Sequence, residues 1–187
     1  KRFEAETKLR QLAYAAGKPG TDQATAAVLE KDLLVLASDT AAPQSSRLSA
    51  LEQLPFFASA SSVPGLAALL SDATPLIREG ARCALQNNPV PAASAPLLLA
   101  LDKADQPAWT LGLMNSLATR ADAAAIPAFA ARLTSPNPAI ASLAAESLGL
   151  LGGAESLKAL NSFLPKCPPA ILPAAQGALV RCATKQA

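Results

Sequence analysis

The sequence predicts an all-α chain: a solenoid of about five stacked helix pairs preceded by one N-terminal helix. Three observations predict it. A proline recurs every 31 or 32 residues, apolar side chains fall at helical spacing around each of these prolines, and the apolar content comes mainly from alanine and leucine. A self-similar period of this length is the mark of a repeat architecture, in which each unit is one supersecondary element that cannot bury its apolar face alone.

The period is carried by Pro43, Pro75, Pro107, Pro138 and Pro169, which lie 32, 32, 31 and 31 residues apart. Two positions after the last four stand Ile77, Trp109, Ile140 and Ile171, and six positions after stand Ala81, Leu113, Ala144 and Ala175. Nine after come the small residues Ala84, Ser116, Ser147 and Ala178, and ten after come Leu85, Leu117, Leu148 and Leu179. Offsets of 2, 6, 9 and 10 share one face of a 3.6-residue helix. Proline at the first helical position loses nothing, because its missing N–H would have had no partner there. Each block therefore reads as a helix of about 12 residues starting at the proline, with a small residue in its stripe that lets a neighbour come close. By this register Trp109 belongs to the core, although a tryptophan can also anchor an interface.

A shorter helix precedes each of these. Leu66, Leu97, Phe129 and Leu160 stand four residues before Leu70, Leu101, Leu133 and Leu164. Such i, i+4 pairs form an apolar stripe, and Pro64, Pro96 and Pro127 lie near the helix starts. Turn-rich stretches separate the two helices of a pair, and Asn87-Asn88-Pro89 and Gly152-Gly153 suit helix ends. The first unit fits with one inserted residue after Pro43: Leu36-Ala37-Ser38-Asp39 parallels Leu69-Leu70-Ser71-Asp72, and Arg47-Leu48-Ser49-Ala50 parallels Arg78-Glu79-Gly80-Ala81. The expected units are roughly 24–58, 63–89, 94–121, 123–153 and 154–183, an array over 21–187. Ahead of it, residues 1–20 hold a capping or preceding-repeat helix from Phe3 to Ala16, with Tyr14 outside the stripes. Phe56-Phe57 is expected to pack against the next pair.

The run from Val63 to Asp72, followed by Pro75-Leu76-Ile77-Arg78-Glu79-Gly80-Ala81 and Ala84-Leu85, resembles the short bacterial HEAT-like repeat of the armadillo-type α-solenoids. Leu148-Gly149 matches that family's usual unit end. The resemblance covers most of the chain and implies a right-handed α-α superhelix whose inner face, lined by the second helix of each pair, commonly holds a partner. Asp72 and Arg78 match the family's polar pair. Thr110 and Ala141 stand where Arg is expected in later units, so an Asp–Arg ladder is broken.

The chemistry is sparse. The chain has no histidine, so Ser-His-Asp, Cys-His and His-metal arrangements are excluded within it. Cys83, Cys167 and Cys182 form no Cys-x-x-Cys pair, and an odd count is no disulfide framework. No Walker or GxGxxG sequence is present. The expectation is a non-catalytic protein with no cofactor and no metal. The formal charge of +2 is small for a protein that binds nucleic acid by neutralising phosphates. No run approaches the ~18 apolar residues of a membrane span. The chain opens Lys1-Arg2-Phe3 without Met, as a piece of a longer protein would. Its Ala-, Ser- and Pro-rich composition is compatible with either the bacterial cytoplasm or the periplasm.

The expected function is a protein-interaction scaffold, a repeat module whose partner is another protein or an adjacent domain of the same chain. Register places Arg47, Arg78, Glu79, Arg82, Gln86, Asn115, Ser142, Glu146, Gln176 and Arg181 away from the buried stripe of the second helices. Of these, Arg47, Arg78, Glu79, Arg82, Asn115, Glu146 and Arg181 are the candidate partner-binding surface. Exposed arginines are ordinary on a solvated helix face, but Arg47, Arg78 and Arg82 together could meet an anionic partner. The alternative is a nucleic-acid-binding HEAT-like protein with a basic groove of the DNA-glycosylase kind. A lyase subunit binding a bilin-like ligand finds no support beyond the repeat.

Overall fold

The computed structural model describes Thr7, Gln11, residues 22–56 and residues 58–185. The expected N-terminal helix, Tyr14 and Phe57 lie outside these. Among the described residues there are ten α-helices and no strand, and no helix is long and apolar enough to cross a membrane. The helices follow one another in five pairs, with the apolar stripes inward. The fold is the all-α, solenoid-like one the period predicts.

Contacts divide the chain into two compact units, 1–96 and 97–187. The first contains α1 (Gln23–Ser38), α2 (Gln44–Gln53), α3 (Val63–Leu69) and α4 (Pro75–Asn87). The second contains most of α5 (Ser94–Asp102), then α6 (Pro107–Arg120), α7 (Ile126–Arg132), α8 (Pro138–Leu151), α9 (Gly153–Phe163) and α10 (Leu172–Thr184). In the first unit α2 packs on α1 and α4, and α3 on α4. In the second α8 packs on α6, α7 and α10, and α9 on α10.

Local chemistry explains the starts and stops. Pro75, Pro107 and Pro138 each open a helix, entered from an extended residue: Thr74, Gln106 or Asn137. Proline disfavours the α conformation in the residue before it, so the break is built into the sequence. Asp22 caps α1 and Asn137 caps α8 through side-chain oxygens that accept backbone N–H groups. Gly152 and Gly153 have φ of 71° and 82°, a corner that only glycine makes without strain. Ala121, at the end of α6, adopts φ 53° without that freedom.

Two starts differ from expectation. Pro43 is the residue before α2 rather than its first. The last helix begins at Leu172, three residues after Pro169, with Pro173 in its first turn. A helix running from Pro169 through Pro173 would set the Pro173 ring against the carbonyl four residues back and leave that carbonyl without a donor. The helix therefore starts where Pro173 is harmless.

The predicted stripes form the core. Ile77, Ala81, Leu85, Leu113, Leu117, Ala144, Leu148 and Ala175 are each 0 % exposed, as are Leu66, Leu97, Phe129 and Leu160. Leu179 and Leu164, at matching positions in the last pair, are half-buried. Trp109 is also only half-buried, while the next residue, Thr110, is buried; an indole is too large for the space an isoleucine fills at this position. Phe56 does not pack inward: it projects from a short 3-10 turn, 54 % exposed, and Leu54 from the same turn fills the core instead.

Candidate functional site

The second helices set two grooves, one in each unit. In the first unit α2 and α4 approach closely because residue 80 is glycine: a Cβ there would stand 2.9 Å from Leu51 Cδ1. Beside this contact lies an apolar groove of about 460 Å³ lined by Leu48, Leu51, Pro55 and Leu76. Glu52, Glu79, Cys83 and Asn87 add polar atoms to it. Leu76 is 55 % exposed on its margin.

The arginines expected on this face are largely tied up. Arg47 is buried, its Nη2 donating to Asp72 Oδ2 at 2.5 Å and its Nε to the Ala37 carbonyl at 2.8 Å. The two side chains of this ion pair are 5 % and 9 % exposed. Burial works to raise the Asp72 pKa, but the Arg47 hydrogen bond and charge and the Thr74 N–H outweigh it, leaving the carboxyl below its ordinary value. Arg78, half-buried, donates to the Asp72 carbonyl at 2.8 Å. Arg82 is also buried, contrary to its place in the register. Its Nε donates to Glu79 Oε2 at 2.9 Å, its Nη2 to Glu79 Oε1, and its Nη1 to Gln86 Oε1 at 3.1 Å. A long side chain can leave a polar face, lie along the apolar surface and end on a partner, and both residues do so.

Arg82 holds the Glu79 carboxyl below its usual value through their hydrogen bond, against partial burial, and Glu79 in turn raises Arg82. Cys83 receives a contact from Arg82 Nη2 at 3.2 Å. Burial nonetheless pushes its thiol up, outweighing the pull of that charge. A thiol rather than a thiolate faces the groove near neutral pH, the weaker nucleophile.

In the second unit α8 and α10 come closer still: a Cβ on Gly149 would stand 2.7 Å from Ala178 Cα. Glu146 and Leu150 face Pro173, Ala174, Gly177 and Arg181 across a recess of about 440 Å³. Two of the candidate residues, Glu146 and Arg181, are thus brought to one groove from opposite helices. Asn115 is exposed on α6 and lines neither groove. Sequence reasoning gave no site role to Leu48, Leu76 or Leu150, and read Cys83 only as a cysteine without a pairing motif. An exposed leucine one residue after a helix-opening proline was the available signal for Leu76. Among the described residues no three His, Cys, Asp or Glu side chains converge as metal ligands would.

No protein-family model matches the chain, and no curated protein does. Solved structures do. An engineered protein matches with 20% identity and TM-score 0.55 over 96% of this chain and 90% of its own. A designed armadillo repeat protein matches with 17% identity and TM-score 0.54 over 97% and 94%. Human deoxyhypusine hydroxylase, in complex with glycerol, matches with 17% identity and TM-score 0.51 over 96% and 80%. Likeness at this identity shows the fold, that of HEAT/armadillo-like helical repeats, and its bearers include a designed armadillo repeat protein and a hydroxylase.

Proposed function

We propose that the chain is a non-catalytic binding module that receives a partner protein on the faces of its second helices. The observation that carries this reading is the α2/α4 groove. It is a preformed apolar concavity with Leu76 open on its margin, and an apolar groove with a few placed polar groups is a common form of binding site. Glu52, Glu79 and Asn87 supply its polar border, and Arg78 stands one residue before Glu79 on α4. Arg47 and Arg82 are neutralised by Asp72 and Glu79 and contribute little free positive charge. This pairing favours a protein partner over a polyanion. In the second unit Glu146 and Arg181 offer opposite charges across the α8/α10 groove, and Asn115 adds an exposed amide on α6. The absence of histidine from the whole chain and the un-ionised state of Cys83 support the non-catalytic part of the reading.

A random-peptide display selection on the intact protein tests this. Enriched peptides are expected to lose about tenfold in affinity, ~1.4 kcal/mol, when Leu76→Glu places a charge on the groove margin. Circular dichroism should show unchanged helix content. A selection that enriches nothing, or whose peptides bind Leu76→Glu and Leu150→Glu as well as the parent, overturns the proposal.

A further inference from the structure

The first helices of the two units, compared position by position, reveal a missing side chain. Leu70, Leu101, Leu133 and Leu164 mark one repeat position, and Ala37 occupies it in α1. Three residues before this mark stands Leu34 in α1 and Ala130 in α7; five residues before it stands Gly65 in α3 and Ala159 in α9. In the first unit Leu34 seats directly on Gly65: a Cβ there would meet Leu34 Cδ2 at 2.5 Å. The leucine fills the joint between consecutive first helices. In the second unit the same two positions hold Ala130 and Ala159, and the joint between α7 and α9 is open. Two adjoining recesses of about 480 and 510 Å³ share Ala130, Ala159 and Ser162 in their walls.

Leu133 and Phe163, 3 % and 6 % exposed, line the first recess with Lys166. Lys158 and Glu155 line the second. Both lysines are exposed, and neither makes an ion pair among the described residues. The joint therefore has alanine where the first unit has Leu34, and the charged residues lining it are two lysines and one glutamate.

We propose that this α7/α9 joint is a second docking surface, on the first-helix side of the fold. Its occupant is an acidic amphipathic segment of a partner protein: a leucine-type side chain fills the place that Leu34 fills in the first unit, and carboxylates meet Lys158 and Lys166. Burying one leucine is too little for stable association by itself, so affinity requires the apolar insertion and the charges together.

Fluorescence anisotropy of a labelled peptide of Leu, Ala and Glu at helical spacing tests it with the intact protein. Saturable binding is expected, about tenfold weaker for a peptide with Lys in place of Glu and for one with Ala in place of Leu. The double variant Ala130→Leu/Ala159→Gly rebuilds the Leu34–Gly65 joint and should abolish binding with helix content intact. If that variant does not fold, Lys158→Glu/Lys166→Glu, on exposed residues, should reverse the preference toward the Lys peptide. Leu76→Glu should leave this binding unchanged, which separates the site from the second-helix groove. No saturable binding to the parent protein, or undiminished binding to both double variants, overturns the proposal. So does self-association in sedimentation that the joint-filling variant abolishes, since the occupant would then be a second copy.

Discussion

The first unit closes its repeats with charge and the second with small residues. In the first, Arg47 bridges to Asp72, and Glu30, 4 % exposed on α1, accepts from Ser59 N at 2.6 Å and Ser59 Oγ at 2.8 Å. Asn88, 1 % exposed, then joins the cluster by donating to the Ser59 carbonyl and accepting from Val90 N. In the second unit charge is scarce inside. Gly149 meets Ala178, Arg132 donates to the Leu101 carbonyl at 2.7 Å, and Cys182 Sγ lies 3.4 Å from the Leu148 carbonyl. Two buried hydroxyls there, Ser147 and Ser156, have no hydrogen-bond partner. Polar ties fix a joint by direction but expose it to charge loss. Close backbone approach fixes it by shape and tolerates no added volume.

Asp72→Ala should separate the two designs most strongly. It leaves the Arg47 guanidinium buried without its counter-ion and should cost about 3 kcal/mol at pH 7 by urea denaturation. The sign of the pH dependence follows from the depressed Asp72 pKa. Its contribution is full above the unfolded carboxylate value near ~4 and is lost as pH falls through the lower folded value, so parent and variant should converge in acid. A difference that persists unchanged at the acid end would remove the ion pair as its cause.

Gly149→Val should cost about 2–3 kcal/mol, because the new atoms meet the Ala178 backbone. Gly80→Ala should cost only about 1 kcal/mol, because the atom it meets is the tip of the Leu51 side chain rather than backbone. Equal costs in thermal melts would mean that shape does not distinguish the units. Ser147→Ala should stabilise by about 1 kcal/mol, since it removes a buried hydroxyl that makes no bond. Ala121→Gly should gain slightly less than 1 kcal/mol by relieving a left-handed alanine. A loss at Ser147→Ala would assign that hydroxyl a partner through water.

The paired helices were legible in the sequence because proline and the apolar stripes act locally and repeat. Pro75, Pro107 and Pro138 open helices for reasons contained within a few residues. Pro169 does not, and the reason, Pro173 four residues on, was also in the sequence. The candidate surface was less legible. Register tells which way a Cβ points; it does not tell where a long side chain ends. Arg47 and Arg82 start on polar faces and finish buried against carboxylates 25 and 3 residues away. Trp109 shows the same limit for volume, since one stripe position does not supply equal space in every unit. The Leu34-to-Ala130 difference stood in the aligned repeats, but its meaning depends on Gly65 lying under Leu34, a contact between helices that periodicity alone does not locate.

The long-range side-chain ties span about one repeat: Arg47 to Asp72 is 25 residues, Glu30 to Ser59 is 29, Arg132 to Leu101 is 31 and Cys182 to Leu148 is 34. Within each unit, these ties among the described residues join neighbouring repeats, an arrangement that carries tension in series. Pulled from its ends, the chain should yield by peeling one helix pair per rupture. Each step should free a contour length of about 100 Å, the extended reach of one repeat at ~3.5 Å per residue. Such a chain would lengthen under load in measured increments rather than fail at once.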